Sequence, residues 1–191
     1  PAMGLLADVM SEFVDAYPLV SFSLFSGNAE SVSERLDRGR LDFGVFVGHA
    51  DLSGYEFLQL PASDRWGAFM REDDPLAALD AVSPSDLARR SLILSEQASR
   101  EMGAWFHRDL EDLDVVATYN LLYNAALLAR RGIGVVVSLE GIVDTTEDSG
   151  LAFRPLEPAV SADIFIAWKR YQSFSPAAEA FLAEIRRRWG A

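Results

Sequence analysis

The spacing of apolar positions switches between two periods along this chain. Leu6, Val9, Met10, Phe13, Val14 and Tyr17 recur at helical spacing and share one face of a helix, which Pro18 ends. Val20, Phe22 and Leu24 then alternate with Leu19, Ser21 and Ser23, the two-residue period of a strand. Gly27-Asn28 turns the chain, and Asn28 serves as N-cap for a helix carrying Val32 and Leu36, with Gly39 at its C-terminal cap. A buried strand is expected over 41–47, ending at Gly48. Another, over 55–60, leads into Pro61-Ala62-Ser63-Asp64, beyond which the pattern restarts with a strand over 66–70.

The second half repeats the alternation. A short strand over 92–94 precedes a helix near 100–108, and a strand over 115–117 precedes a helix from about 120 to 130. Gly132 and Gly134 bracket the turn into Val135-Val136-Val137. A strand over 164–168 comes last, before a helix opened by Ser175-Pro176, serine as N-cap and proline at the first helical position. Phe181, Leu182, Ile185 and Trp189 form its buried stripe. Strands alternating with crossover helices predict α/β lobes with largely parallel sheets. In such sheets ligands bind beyond the C-terminal strand ends, where loops meet helix N-termini.

Composition narrows the classes. A chain of 191 residues, half of them hydrophobic, suffices for one large domain or two small lobes. No apolar run reaches the ~20 residues that span a bilayer. The first residues carry no basic region before Asp8 and Glu12, so they do not read as a secretory signal, and a cytoplasmic location is expected. The absence of cysteine removes disulfides, thiolate zinc sites and cysteine nucleophiles together. A net charge of −12 argues against nucleic-acid binding by this chain, which rests on clustered Lys and Arg. The densest basic stretch, Arg186-Arg187-Arg188, ends a helix and complements its dipole.

Catalytic motifs fail in turn. His49 and His107 have no spacing that suggests a zinc pair. Ser26-Gly27 lacks the Gly-x-Ser-x-Gly elbow, and Gly132-Ile133-Gly134 leads into a strand, the wrong order for a dinucleotide loop. Catalytic residues, metal and cofactor are therefore all expected to be absent. What remains is small polar residues at strand ends: Ser26, Gly27 and Asn28, then Ser95, Gln97 and Ser99, then Thr118, Tyr119 and Asn120, with Ser138 after Val137. Any one of these is most simply an N-cap. Three such positions in separate strand–helix units point at a shared cleft, where free N–H groups suit a carboxylate or another small anion and also accept sugars or amides. Trp66, Trp105 and Trp168 are assigned to packing.

In this order the motifs resemble the effector-binding domain of LysR-type transcriptional regulators. The likeness runs through Phe13-Val14-Asp15-Ala16-Tyr17-Pro18, Ser26-Gly27-Asn28-Ala29-Glu30, residues 35–44, Asp74-Pro75-Leu76-Ala77 and Gly132-Ile133-Gly134-Val135. It ends with Phe153-Arg154-Pro155-Leu156, Ile166-Ala167-Trp168-Lys169 and Phe174-Ser175-Pro176-Ala177-Ala178. Each motif alone is weak; the order and spacing carry the case. The resemblance implies an α/β fold of two Rossmann-like lobes joined by crossover strands, like type 2 periplasmic binding proteins. Lobe I would be 1–62 plus 165–191 and lobe II 63–164. A small-molecule effector would lie between them, touching Ser26, Gly27, Asn28, Ser95, Gln97, Tyr119, Asn120 and Ser138. The parent protein would be a homodimer or tetramer that reaches DNA only through an N-terminal winged helix-turn-helix absent from this sequence. The family also places a strand before the first helix, whereas this sequence opens inside or just before that helix. Two other readings share the fold: a transporter's solute-binding protein and, with less support, an enzyme.

Overall fold

A computed structural model describes residues 2–48, 50–96 and 99–190. The chain divides into two compact units, Pro1–Asp64 with Ala162–Ala191, and Arg65–Ser161. In the first unit, helix α1 (Ala2–Ala16) turns Leu6, Val9 and Phe13 inward. Helix α2 (Ala29–Asp37) starts at Asn28 and buries Val32 and Leu36. It is followed by Gly39 at φ 65°, a conformation that a Cβ would strain. Strand β1 (Gly44–Val47) pairs antiparallel with β7 (Ser161–Lys169), Phe46 opposite Phe165. On its other side β7 meets β2 (Tyr55–Arg71).

Helix α6 (Pro176–Trp189) begins where Ser175 Oγ accepts from the Ala178 N–H. With α1 it encloses Ile164, Ile166 and Trp168 in one core with Phe13, Phe181 and Ile185. Each fully buried Ile, Leu or Phe there contributes about 1.5–3 kcal/mol. The basic run is consumed within this unit as well as lying at the helix end. Arg186 pairs with Glu56, Arg187 with Glu184, and Arg188 with Glu184 and Glu12. Hydrogen bonds from Arg187 and Arg188 hold the Glu184 carboxyl at about 2.

In the second unit, β3 (Leu92–Ser95) lies between β5 (Val135–Leu139) and β4 (Val115–Tyr119), parallel to both. Strand β2 pairs antiparallel with β5 and with β6 (Leu151–Pro155). Helix α3 (Pro84–Leu87) opens with a capping box between Ser83 and Asp86, and α4 (Ser99–Phe106) follows β3. Helix α5 (Leu122–Arg130) lays Leu122, Ala125, Ala126 and Ala129 against Phe69, Ile93 and Val136 of the sheet.

Five expectations change, among them the strand expected over 41–47, which begins only at Gly44. The strand expected over 20–24 is not formed among the described residues. Its alternation survives only in part: Val20 and Phe22 pack into the α1–α6 core and Leu19 turns outward, but Leu24, which the same period turns inward, is 74% exposed. Alternation sets which side chains turn inward; a strand also needs a neighbour for its backbone groups, and the described strands pair elsewhere. The two strands expected on either side of Pro61 are one continuous β2 of 17 residues. Proline is tolerated there because β5 and β6 pair with β2 only beyond Arg65, leaving one edge of the Pro61 stretch without a ladder. The sheet is parallel across β5, β3 and β4, whereas β1–β7, β2–β5 and β2–β6 are antiparallel. Parallel or antiparallel sense depends on where a strand returns, which a local period does not record. Finally, α5 starts two residues later than Asn120, with Leu121 as its N-cap residue.

Candidate functional site

The first group of polar strand-end residues sits at the start of α2. Ser26 and Gly27 are exposed and Asn28 is half-buried. Asn28 Oδ1 accepts from the Ser31 N–H at 2.9 Å, while Ser31 Oγ donates to the Asn28 carbonyl oxygen at 2.9 Å. The amide oxygen is thus committed to the helix, and the Asn28 NH₂ remains a donor. A Cβ at Gly27 would overlap Ser31 Oγ and stand 2.8 Å from the Phe25 ring, so a larger residue there has to displace those two side chains. The Arg35 guanidinium lies over that ring at 3.9 Å. Nothing in the sequence marks this cation as a neighbour of the loop, because ten residues separate Arg35 from Phe25 with no periodic signal between them.

The second unit brings three predicted residues together. Ser95 and Tyr119 are register partners at the last positions of β3 and β4. Leu94 is aligned with Val137, which places Ser138 alongside Ser95. Alternation puts all three side chains on the sheet face that carries Ile93 and Val136. The Tyr119 ring packs into that core and its hydroxyl donates to the Val137 carbonyl oxygen at 2.9 Å. Burial pushes the phenol up to about 12, with a hydrogen bond from Ser138 working in the opposite direction. Ser138 itself is buried.

Asn120 follows as an exposed residue, and among the described residues no side-chain hydrogen bond caps α5. Leu121 offers no side-chain acceptor, so the first N–H groups of α5 are open to another partner. Gln97 lies outside the described residues, as does His49.

Two further buried polar residues sit on β2, Asp64 and Trp66. Asp64 is engaged in the structure. The Trp66 Nε1 group finds no acceptor among the described residues. The Trp66 ring is buried as expected of a packing residue, but nothing in the sequence marks an indole N–H as unpaired.

The strand-end set therefore supplies hydroxyls, amides and backbone N–H groups. Groups of this kind are able to hydrogen-bond oxygen-rich ligands and bring no charge of their own. No group of acidic, His or Cys side chains fit to hold a metal occurs among the described residues. The grooves along α1, lined by residues such as Asp8, Glu12, Met10 and Leu24, include none of the predicted strand-end residues.

A family model, the LysR substrate binding domain, matches residues 1–190. Among curated proteins, the uncharacterized HTH-type transcriptional regulator YvbU of Bacillus subtilis (strain 168) is 24% identical over 96% of this chain and 62% of its own length. The uncharacterized HTH-type transcriptional regulator YybE of the same organism is 23% identical over 93% of this chain and 61% of its own length. The chain thus spans about three fifths of the curated relatives it matches. Among solved structures, the effector binding domain of QuiR in complex with shikimate superposes with a TM-score of 0.82 at 18% identity, covering 96% of this chain and 90% of that one. The Synechocystis PCC6803 CcmR regulatory domain in complex with 2-PG gives 0.79 at 17% identity, covering 98% and 92%.

Proposed function

The chain belongs to the LysR substrate binding domain family, and from that premise we propose that it senses a small metabolite for a transcriptional regulator. Lobe I would be 1–62 with 165–191, and lobe II 63–164. Ser26, Gly27, Asn28, Ser95, Gln97, Tyr119, Asn120 and Ser138 would contact the effector. The observation that carries this is the convergence of Ser95, Tyr119 and Ser138 on one sheet face at the carboxyl ends of three adjacent parallel strands. Neutral donors beside an uncapped helix N-terminus favour a small organic acid or a polyhydroxylated acid. The shikimate bound by QuiR is of that chemical kind.

The whole protein would reach DNA through the portion its curated relatives carry beyond this chain. It would act from the cytoplasm, binding rather than transforming its ligand, as a homodimer or tetramer. Exposed apolar side chains support self-association. On β4 and at α5, Val116, Leu121, Tyr123 and Leu127 are exposed; on α1 and the segment after it, Val14 and Leu24 are. Effector binding would shift the populations of two subunit arrangements that differ in affinity for it.

A thermal-shift screen of this chain against organic acids, sugar acids and amino acids tests the reading. A ligand of the native state at one hundred times its dissociation constant stabilises by about 2.7 kcal/mol, roughly 5–10 °C for a chain of this length. A saturable rise is expected from at least one member. If no member shifts the melting point, the sensing reading fails.

A further inference from the structure

Three tryptophans bury their rings, and two of them use the indole N–H. Trp105 donates to the Pro158 carbonyl oxygen at 2.8 Å, and Trp168 to Glu56 Oε2 at 3.2 Å. Trp66 is equally buried at 7% exposure, yet its Nε1 is closed to solvent and meets no acceptor among the described residues. An indole N–H is a donor only. Left unpaired it loses its hydration without compensation, and phenylalanine would fill much of the same space free of that cost.

The position of this orphan donor is informative. Trp66 is the register partner of Leu139, the last residue of β5, one step from the Gly67–Ser138 pair. It therefore stands at the strand edge that carries Ser95, Tyr119 and Ser138, on the opposite face from their side chains. We propose that Trp66 is a further effector-contacting residue, its Nε1–H reserved for an sp² oxygen of the ligand, a carboxylate or a carbonyl. This rests on reading the chain as an effector-binding domain. Being neutral, the indole accepts either oxygen without an ion pair, and it rejects an ammonium or a methyl group at the same place, which would leave the donor unpaired.

The test reads the indole N–H directly, by ¹H–¹⁵N spectra of the chain labelled at tryptophan. The Trp66 signal is identified by its loss in Trp66→Phe. Should that variant not fold, elimination with Trp105→Phe, Trp168→Phe and Trp189→Phe identifies it. Acetate and acetamide are each titrated to about 0.1 M against matched chloride, a range in which ligands of four heavy atoms show measurable occupancy. A saturable displacement of the Trp66 signal is expected with one or both, while the Trp105 and Trp168 signals stay in place. Response to acetate alone assigns a carboxylate, and response to acetamide assigns a carbonyl. A Trp66 signal unmoved by either probe overturns the proposal. So does a metabolite from the screen that stabilises Trp66→Phe as much as the unaltered chain, an outcome that leaves the effector-binding reading standing.

Discussion

The phenol of Tyr119, at the end of β4, donates to the Val137 carbonyl oxygen of β5 at 2.9 Å, reaching across the intervening strand β3. An edge strand is thereby fastened to a strand it does not pair with, next to the predicted ligand-contacting residue Ser138. The bond bears on stability, and the burial of the phenol bears on how that stability depends on pH.

Tyr119→Phe removes the bond and leaves the carbonyl with one partner fewer, so a loss of about 1 kcal/mol is expected in urea unfolding at neutral pH. The unfolded phenol titrates near its ordinary 10.0 and the folded one at about 12. Below pH 10 both states are protonated and the full contribution is present. As the pH rises toward 12 the unfolded chain gives up its proton while the folded chain holds it, and stability falls. The loss amounts to roughly 2–3 kcal/mol. Urea midpoints from pH 9 to 12 should show the unaltered chain losing its advantage over Tyr119→Phe and then dropping below it. A gap constant with pH would mean that the phenol titrates normally.

Gly67 permits β2 and β6 to meet. A Cβ there would overlap the Phe153 ring and stand 2.6 Å from the Arg154 carbonyl oxygen. Gly67→Ala should cost about 3 kcal/mol by calorimetry or urea unfolding. Adding Phe153→Leu should recover part of it, the remainder being the backbone contact. An unchanged midpoint in the single variant would rule out this close approach.

Asn28 and Asn120 differ in what they do for the fold. Asn28→Ala should lose about 1 kcal/mol with the N-cap, and Asn28→Ser almost none. Asn120→Trp lies at an exposed position and removes no described cap of α5, so its stability should stay within about 0.5 kcal/mol. Both Asn28→Trp and Asn120→Trp should nevertheless abolish any metabolite-dependent rise in melting temperature. Normal binding by both would displace the proposed contact set.

Charge and exposed apolar side chains give a solution prediction. At −12 the chain should show no salt-sensitive affinity for duplex DNA at physiological ionic strength. It should self-associate in sedimentation at high concentration, and Leu127→Glu should lower that association by removing an exposed apolar contact. A strictly monomeric profile would count against the regulator reading.

Helices were legible in the residues because their signals are local. Asn28 caps α2, Ser175-Pro176 opens α6, and the heptad-like row from Leu6 to Phe13 turns inward in α1 as its spacing requires. The strand-end positions in β3, β4 and β5 were legible for the same reason, each marked where an apolar run gives way to a small polar residue. The order and spacing of weak motifs also carried the family, which the match over residues 1–190 shows.

Tertiary structure decided what depends on partners distant in the chain. Whether residues 20–24 form a strand turns on a neighbouring backbone, and whether Pro61 interrupts β2 turns on which edge lacks a ladder. That Tyr119 spends its hydroxyl on Val137 follows from β3 lying between their strands, an arrangement no period encodes. That Trp66 keeps its N–H unpaired while Trp105 and Trp168 do not is likewise a matter of which acceptors the fold delivers. The sequence by itself determined which residues seek burial and where the capped helices α2 and α6 begin, because those depend on neighbours within a few positions. Strand pairing, sense and the satisfaction of each buried polar group were left to the fold, because they are set by atoms brought near only when the chain closes on itself.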